Sequence, residues 1–172
     1  KKALKDEDWR VVYHSIVILT EFAKKNGKAC ISLASEVVAA FISGERLKER
    51  AADCIGILGL ANPNSVKNAV PGLINGLGSK SSELRKASAT AIGRIGSKDA
   101  MVVFHAVPKL AKALKNEDWY VHVEVLKALG YIGSNKPTLV KPHLDLIRNK
   151  TKTGAERNIC DAAKWALKKA GG

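Results

Sequence analysis

Histidine and cysteine are the residue types in this sequence that could bind a metal ion or act as a catalytic base or nucleophile. None stands in a CxxC pair or at the spacing of a zinc site, and no Walker loop, GxSxG turn or Ser/His/Asp order accompanies them. We therefore expect no metal, no cofactor and no catalytic residue, hence no enzyme. The odd number of separated cysteines predicts a reduced, cytoplasmic environment. The residues concerned are His14, His105, His122, His143, Cys30, Cys54 and Cys160.

A large positive charge is the second chemical feature. The 172 residues include 29 Lys and Arg against 16 Asp and Glu, which gives a formal net charge of +13. This excess favours a polyanionic partner, which can be nucleic acid, an acidic protein surface or an anionic membrane, although solubility alone would also account for it. The sequence has no uninterrupted apolar stretch of about 20 residues, so we expect no transmembrane span.

An internal repeat predicts the elements that position these side chains. The stretch Leu4 to Val11 is nearly copied by Leu114 to Val121, and the distance between them equals three repeats of about 37 residues. In each copy, apolar or small residues follow the leading aliphatic residue by four, eight and eleven positions, which is the spacing of one face of an α-helix. The leading column consists of Val11, Leu47, Leu84, Val121 and Ile159.

Each copy is predicted to contain two helices, here called the first and the second helix. Asp8 and Asp118 are candidate N-caps of first helices. We expect first helices at about 8–24, 45–59, 81–96, 118–133 and 153–169, and second helices at about 28–42, 65–77, 99–114 and 137–148.

Glycines and prolines recur at fixed places in the repeat. The column Ala23, Gly59, Gly96, Gly133 and Gly171 is typical of helix C-termini, where a left-handed residue closes the last turn. Pro71 and Pro108 fall one repeat apart inside the second helices. They indicate either a kink or the true helix start after a loose first turn.

The stretch Leu84-Arg-Lys-Ala-Ser-Ala-Thr-Ala-Ile-Gly-Arg-Ile-Gly96 resembles the first-helix signature of HEAT repeats, including the HEAT-like repeats of phycobilisome lyases, and so does Val121 to Gly133. The resemblance implies an all-α, right-handed α-solenoid of about four and a half helical-hairpin repeats. We expect one array over 1–172 that is truncated at both ends. Its repeats would be approximately 5–42, 43–78, 79–114, 115–149 and a partial 150–172.

The resemblance also implies that the second helices line the concave surface, so their polar residues are the candidates for binding. The positive charge of these helices increases toward the C-terminal half, because the segment from Cys30 to Ile42 has no basic residue. The candidate concave-face binding residues are Lys67, Asn75, His105, Lys109, Lys112, Lys141, His143 and Arg148.

The three tryptophans have two interpretations each. Trp9 and Trp119 share one repeat position, which favours packing over a role in stacking on bases or anchoring a peptide. Trp165 stands in a column that looks partly exposed, so it either covers the last helix or contacts a neighbour.

The leading functional interpretation is a non-catalytic scaffold that presents a concave helical surface to a protein partner, which the charge predicts to be acidic. The alternative is a nucleic-acid-binding solenoid that uses its basic surface on phosphates. An enzyme like the alkylpurine DNA glycosylases is much less favoured, because Asp145, Glu36 and Asp99 have no tryptophan on the same helical face. We expect no small-molecule substrate.

Overall fold

The computed structural model describes residues 1–115, 119–152 and 156–171, and within these ranges every regular element is a helix. The α-helices are α1 (Trp9–Cys30), α2 (Ala34–Ser43), α3 (Lys48–Ala61), α4 (Val70–Gly76), α5 (Ser82–Lys98), α6 (Val107–Ala113), α7 (Trp119–Asn135), α8 (Pro137–Val140), α9 (Leu144–Asn149) and α10 (Arg157–Ala170). Short 3₁₀ segments join them at Lys2–Lys5, Ile31–Leu33, Glu45–Leu47, Pro63–Ala69, Ala100–Val102, Phe104–Ala106 and Lys141–His143.

The helices are arranged in two layers. The first helices α1, α3, α5, α7 and α10 pack side by side in chain order. The second helices α2, α4, α6 and the α8–α9 pair form the other layer, and each of them packs on the first helices next to it in the chain. The core lies between the layers, where residues such as Ile55, Leu73, Ile92 and Leu110 are fully buried. Each hairpin therefore buries its apolar face only by stacking on its neighbours.

The observed helices confirm the predicted order of helical hairpins, with local differences in their limits. α1 consists of two helices that meet at a kink at Asn26, where the backbone is not helical (φ −144°, ψ 72°), so the break falls between the predicted helix end at 24 and the next predicted start at 28. α3 begins at Lys48 because Glu45–Leu47 forms a 3₁₀ turn. The predicted start of the last first helix, at residue 153, lies outside the described residues.

The helix starts follow from side-chain capping and from proline. The carboxylate of Asp8 accepts a hydrogen bond from the backbone N–H of Arg10 (2.9 Å), which confirms Asp8 as an N-cap. The corresponding candidate Asp118 lies outside the described residues. Pro71 and Pro108 occupy the first turns of α4 and α6, after 3₁₀ segments. Proline is tolerated there because no intrahelical bond needs its missing N–H. The second of the two interpretations of these prolines is therefore correct.

The glycine column has a different role from the one predicted. Gly59, Gly96 and Gly133 lie inside α3, α5 and α7, and they are not left-handed; Gly171, with φ of 75°, does close α10 in the expected way. The interior glycines permit close packing instead. A Cβ atom on Gly133 would lie 2.8 Å from Cβ of Ala170 on the next first helix. The prediction of helix ends was wrong for these three positions, because each helix continues for two residues beyond its glycine.

The register of α1 also differs from the predicted column. Its buried residues include Val12, Ile16 and Leu19, one position later than the repeat predicts for the first two. The apolar side chains of Val11, Ile18 and Phe22 are 39%, 70% and 56% exposed. The equivalent positions on α3, α5 and α7 are buried against the preceding first helix, a neighbour that α1 does not have among the described residues.

The helices were also compared with the requirements of a membrane span. No single helix within the described ranges is long and apolar enough to cross a membrane. One pair, Trp9–Ser43 followed by Glu45–Ala61, meets the criteria of length and composition only when both parts are joined across a bend of 119°.

Candidate binding face

The second helices and the 3₁₀ turns before them present one continuous set of exposed side chains, which we call the second-helix face. It is defined by the exposed residues of α2, α4, α6, α8 and α9 and of the adjoining turns. Seven of the predicted binding residues are exposed on it, and His143 is half-buried. The structure thus makes all eight accessible on one layer of the array; they are Lys67, Asn75, His105, Lys109, Lys112, Lys141, His143 and Arg148.

The positive charge of this face is largely uncompensated. The side chains of Lys67, Lys109, Lys112 and Lys141 form no ion pair with any carboxylate of the described residues, whereas Arg148 donates to Asp145 (Nη1–Oδ1 3.0 Å). Segments 62–80, 99–115 and 136–152, which contain α4, α6, α8 and α9, hold ten Lys or Arg and two acidic residues. This ratio is far higher than the 29 to 16 of the whole chain, so the second-helix side carries most of the excess.

On the first-helix side, some basic residues are paired with acidic ones. Arg94 lies near Asp53 (Nη1–Oδ1 3.9 Å), and Lys127 donates to Glu124 (Nζ–Oε1 2.9 Å). Pairs of this kind are worth little stability at the surface, but they reduce the local field that a charged ligand would experience. The unpaired positive charge is therefore concentrated on the second-helix face.

A groove of about 530 Å³ opens between α2 and α4 at the N-terminal end of this face. The ring of Phe41 and the side chain of Ile42 contribute its apolar wall, and Asn68 and Asn75 lie at its rim. Gly72 leaves the space open, since a Cβ atom at this position would lie 2.7 Å from Cε1 of Phe41. A volume of this size is within the range of ligand-binding clefts.

The acidic residue of α2 is withdrawn from the face. Glu36 is buried, accepts a hydrogen bond from the Ser35 hydroxyl (2.9 Å) and pairs with Lys1 (Nζ–Oε1 3.2 Å) and Lys5 (3.9 Å). The Ser35 hydrogen bond and the Lys1 ammonium hold the pKa of Glu36 below its usual value of 4.5, against the opposing effect of burial. Glu36 therefore fastens the N-terminal turn to α2 and does not offset the lysines.

The tryptophans correct one sequence prediction. Packing was favoured for Trp9 and Trp119, but their side chains are 42% and 53% exposed. The guanidinium of Arg46, from the 3₁₀ turn before α3, lies over the Trp9 ring at 5.1 Å, which is a cation–π contact. Trp165 packs on the preceding first helix α7, where its ring lies against Gly130 and meets Tyr131 edge-on at 5.1 Å.

Some residues of the second-helix face were missed by sequence reasoning because they are apolar. Phe104 and Met101 are exposed on it, and the Phe104 ring stacks on His105 with 3.6 Å between the centroids. Their repeat columns contain a signal that could have found them. Positions 67 and 141, equivalent to Phe104, hold lysines, so the column is a surface column.

The histidines and cysteines form no metal cluster in the described part of the chain. Cys54 is buried, and its burial raises the pKa of the thiol to about 11. Cys54 is therefore a small core residue, although Ile18, at the equivalent position one repeat earlier, is exposed.

Comparison with known proteins agrees with this geometry. Residues 70–153 match the family model described as HEAT repeats. The chain is an α-solenoid, and the part of it that matches HEAT repeats is residues 70–153. The predicted right-handed solenoid of about four and a half repeats is thereby confirmed, together with the resemblance on which it depended. No curated protein matches the chain in sequence.

Solved structures of repeat proteins share the fold of this α-solenoid. An engineered protein superimposes with a TM-score of 0.83 at 20% identity, covering 99% of this chain and 77% of its own. A designed armadillo repeat protein in complex with the peptide (KR)4 gives 0.80 at 17% identity, with 98% and 79% covered. A computationally designed armadillo repeat protein for modular peptide recognition gives 0.79 at 17%, with the same coverage.

Proposed function

We propose that this HEAT solenoid is a non-catalytic scaffold that binds an acidic segment of a partner protein along its second-helix face. The observation that carries the proposal is the row of exposed lysines that have no carboxylate partner among the described residues: Lys67, Lys109, Lys112 and Lys141. Lysine ammonium groups are compact, strongly hydrated charges that attract anions without demanding one fixed geometry. Repeated across neighbouring helices, they suit a long ligand better than a small one.

The structural neighbours support a peptide as the ligand, and the positive charge of this chain supports a negatively charged peptide. The designed armadillo protein of similar fold is in complex with (KR)4, a wholly basic peptide. The second-helix face of this chain is itself basic, so it would repel such a peptide. A peptide rich in Asp and Glu has the complementary charge.

Nucleic acid is the second candidate, because the same lysines could contact phosphate oxygens. The apolar side chains on this face, namely Phe104, Met101 and Ile42, favour a protein segment, since a protein ligand can bury apolar side chains against them. A phosphate backbone gains nothing from the groove between α2 and α4. We therefore place the acidic protein segment first.

The test is a titration of the chain with four fluorescent ligands at about 50 and 150 mM salt. The ligands are an eight-residue Asp/Glu peptide, the peptide (KR)4, and single-stranded and duplex oligonucleotides. We expect the acidic peptide to bind, with weaker binding at the higher salt because exposed charges are screened, and (KR)4 not to bind. Tighter binding of either oligonucleotide would favour the nucleic-acid alternative. The absence of binding by every anionic ligand would refute a role for the lysines.

A further inference from the structure

The second-helix face changes its chemistry along the array. At its N-terminal end lies the apolar groove between α2 and α4, and from α6 onward the face is basic. The reason lies in one repeat column: Gly72 leaves the groove open, whereas the equivalent position holds Lys109 in the next repeat and Leu146 in the one after. The missing side chain at Gly72 is therefore what leaves room for the groove.

The rim of the groove carries no net charge. Lys48 and Glu45 pair with each other there, and Asn68 and Asn75 contribute neutral amides. Ile42 is largely exposed on the wall, beside the buried ring of Phe41. An apolar surface with neutral hydrogen-bonding groups around it is suited to a bulky apolar side chain and the peptide backbone that carries it.

We infer that the partner segment is an extended peptide with one bulky apolar anchor in this groove and acidic side chains that reach the lysines and the arginine of α6 and α9. The inference rests on the proposed function, whose charge complementarity selects the acidic part of the ligand. Neighbouring helices lie about 8–10 Å apart, and an extended peptide advances about 3.3 Å per residue. The acidic residues should therefore stand about three and six positions from the anchor.

Two peptides of the same charge test the anchor. Both carry Asp or Glu three, four, six and seven positions from one central site, which holds Leu in the first peptide and Ala in the second. We expect the Leu peptide to bind roughly tenfold more tightly, because burial of a leucine side chain contributes about that factor. A third peptide moves the acidic residues next to the leucine, and it should lose most of this gain.

Two matched protein variants locate the anchor. Asn75→Trp places an indole at the rim of the groove, and Asn149→Trp places one at the equivalent, exposed position two repeats later. Circular dichroism and thermal melts verify that both variants fold. Asn75→Trp should abolish the preference for the Leu peptide over the Ala peptide, while Asn149→Trp should preserve it.

The outcomes separate this inference from the proposed function. If the Leu and Ala peptides bind equally well, or if both tryptophan variants reduce the preference alike, the groove is not the anchor site and the acidic scaffold stands. If neither peptide binds, the proposed function fails and the inference fails with it. A Leu preference that only Asn75→Trp removes supports both.

Discussion

Adding a single methyl group at Gly93 should destabilise the array, although the same change usually stabilises a helix. Gly93 lies inside α5, where it faces α7. A Cβ atom at this position would lie 2.8 Å from Cα and 3.0 Å from Cβ of Ala128. Non-bonded carbon atoms prefer separations of about 3.5–4.0 Å, so α5 and α7 would have to move apart by about 1 Å.

The size of the effect follows from two opposing terms. Overpacking of a close contact typically costs about 1–3 kcal/mol, and the cost should be near the upper end here because the obstacle is backbone. The gain in helix propensity from glycine to alanine is about 1 kcal/mol. The net expectation for Gly93→Ala is therefore a loss of about 2 kcal/mol in the free energy of unfolding, or a fall of about 4–8 °C in Tm.

Thermal and urea unfolding followed by circular dichroism measure this difference, and Gly78→Ala is the matched control. Gly78 is exposed, has no positive φ, and would place its Cβ no closer than 3.5 Å to any atom outside its immediate neighbours. The control should be neutral or up to about 1 kcal/mol more stable. Equal or greater stability of Gly93→Ala than of the parent chain would refute the close-packing role of the interior glycines.

Three further results are expected. Phe22→Ala should change the free energy of unfolding by under about 1 kcal/mol, because Phe22 is exposed. Leu58→Ala, at the equivalent position one repeat later, should cost about 2–5 kcal/mol in the same unfolding assay, because Leu58 is buried. Equal costs would contradict the finding that this position is exposed on α1 and buried on α3. Because the pKa of Glu36 is lowered in the folded state, the ionised carboxylate should stabilise the fold fully above pH 4.5, and this stabilisation should disappear as the pH falls through the lower folded pKa. The free energies of unfolding of Glu36→Gln and of the parent chain should therefore converge at acidic pH. A difference that stays constant from pH 3 to 7 would contradict this role of Glu36. Iodoacetamide at pH 8 should modify Cys160 well before Cys54, because the Cys54 thiol is buried and has a pKa of about 11. Mass spectrometry measures the two rates of modification, and comparable rates would contradict the burial of Cys54.

The fold could be predicted from the sequence because each helical hairpin packs in the same way, so equivalent residues recur once in every repeat. Leu47, Leu84, Val121 and Ile159 recur at intervals of 37 or 38 residues, and each is buried at or just before the start of its first helix. A neighbour in the stack makes the same demand on each copy, so one column of aliphatic residues is enough to align the helices.

The differences arise where the environment of one copy departs from the others. Val11 shares the column of Leu47 but is exposed, because α1 has no preceding first helix to cover it within the described ranges. Glycine is a residue type that often ends a helix, which is why positions 59, 96 and 133 were predicted to be helix ends. Their role depends instead on how closely the next helix approaches, and the local sequence does not determine that distance.

The sequence was enough to predict the positive charge of the candidate site, but it was not enough to predict the shape of the surface. The basic residues of the second helices are readable from the periodic pattern, and all eight candidates are accessible in the structure. The groove beside Phe41 depends on the missing side chain at Gly72 and on the distance between two helices far apart in sequence. Phe104 is exposed, but the sequence did not predict it as a surface residue because an apolar side chain by itself indicates burial.

The most direct test of the scaffold proposal reverses charge on each layer in turn and measures the affinity for the eight-residue Asp/Glu peptide. Lys109→Glu with Lys112→Glu alters α6 on the second-helix face, and Lys164→Glu with Lys168→Glu alters the exposed side of α10. Both double variants change the net charge equally, and each places a glutamate in the last turn of its helix. The account predicts that the α6 variant loses at least about tenfold in affinity, equivalent to about 1.4 kcal/mol, while the α10 variant loses much less. Equal losses would show that the peptide responds only to net charge, and would contradict binding on the second-helix face.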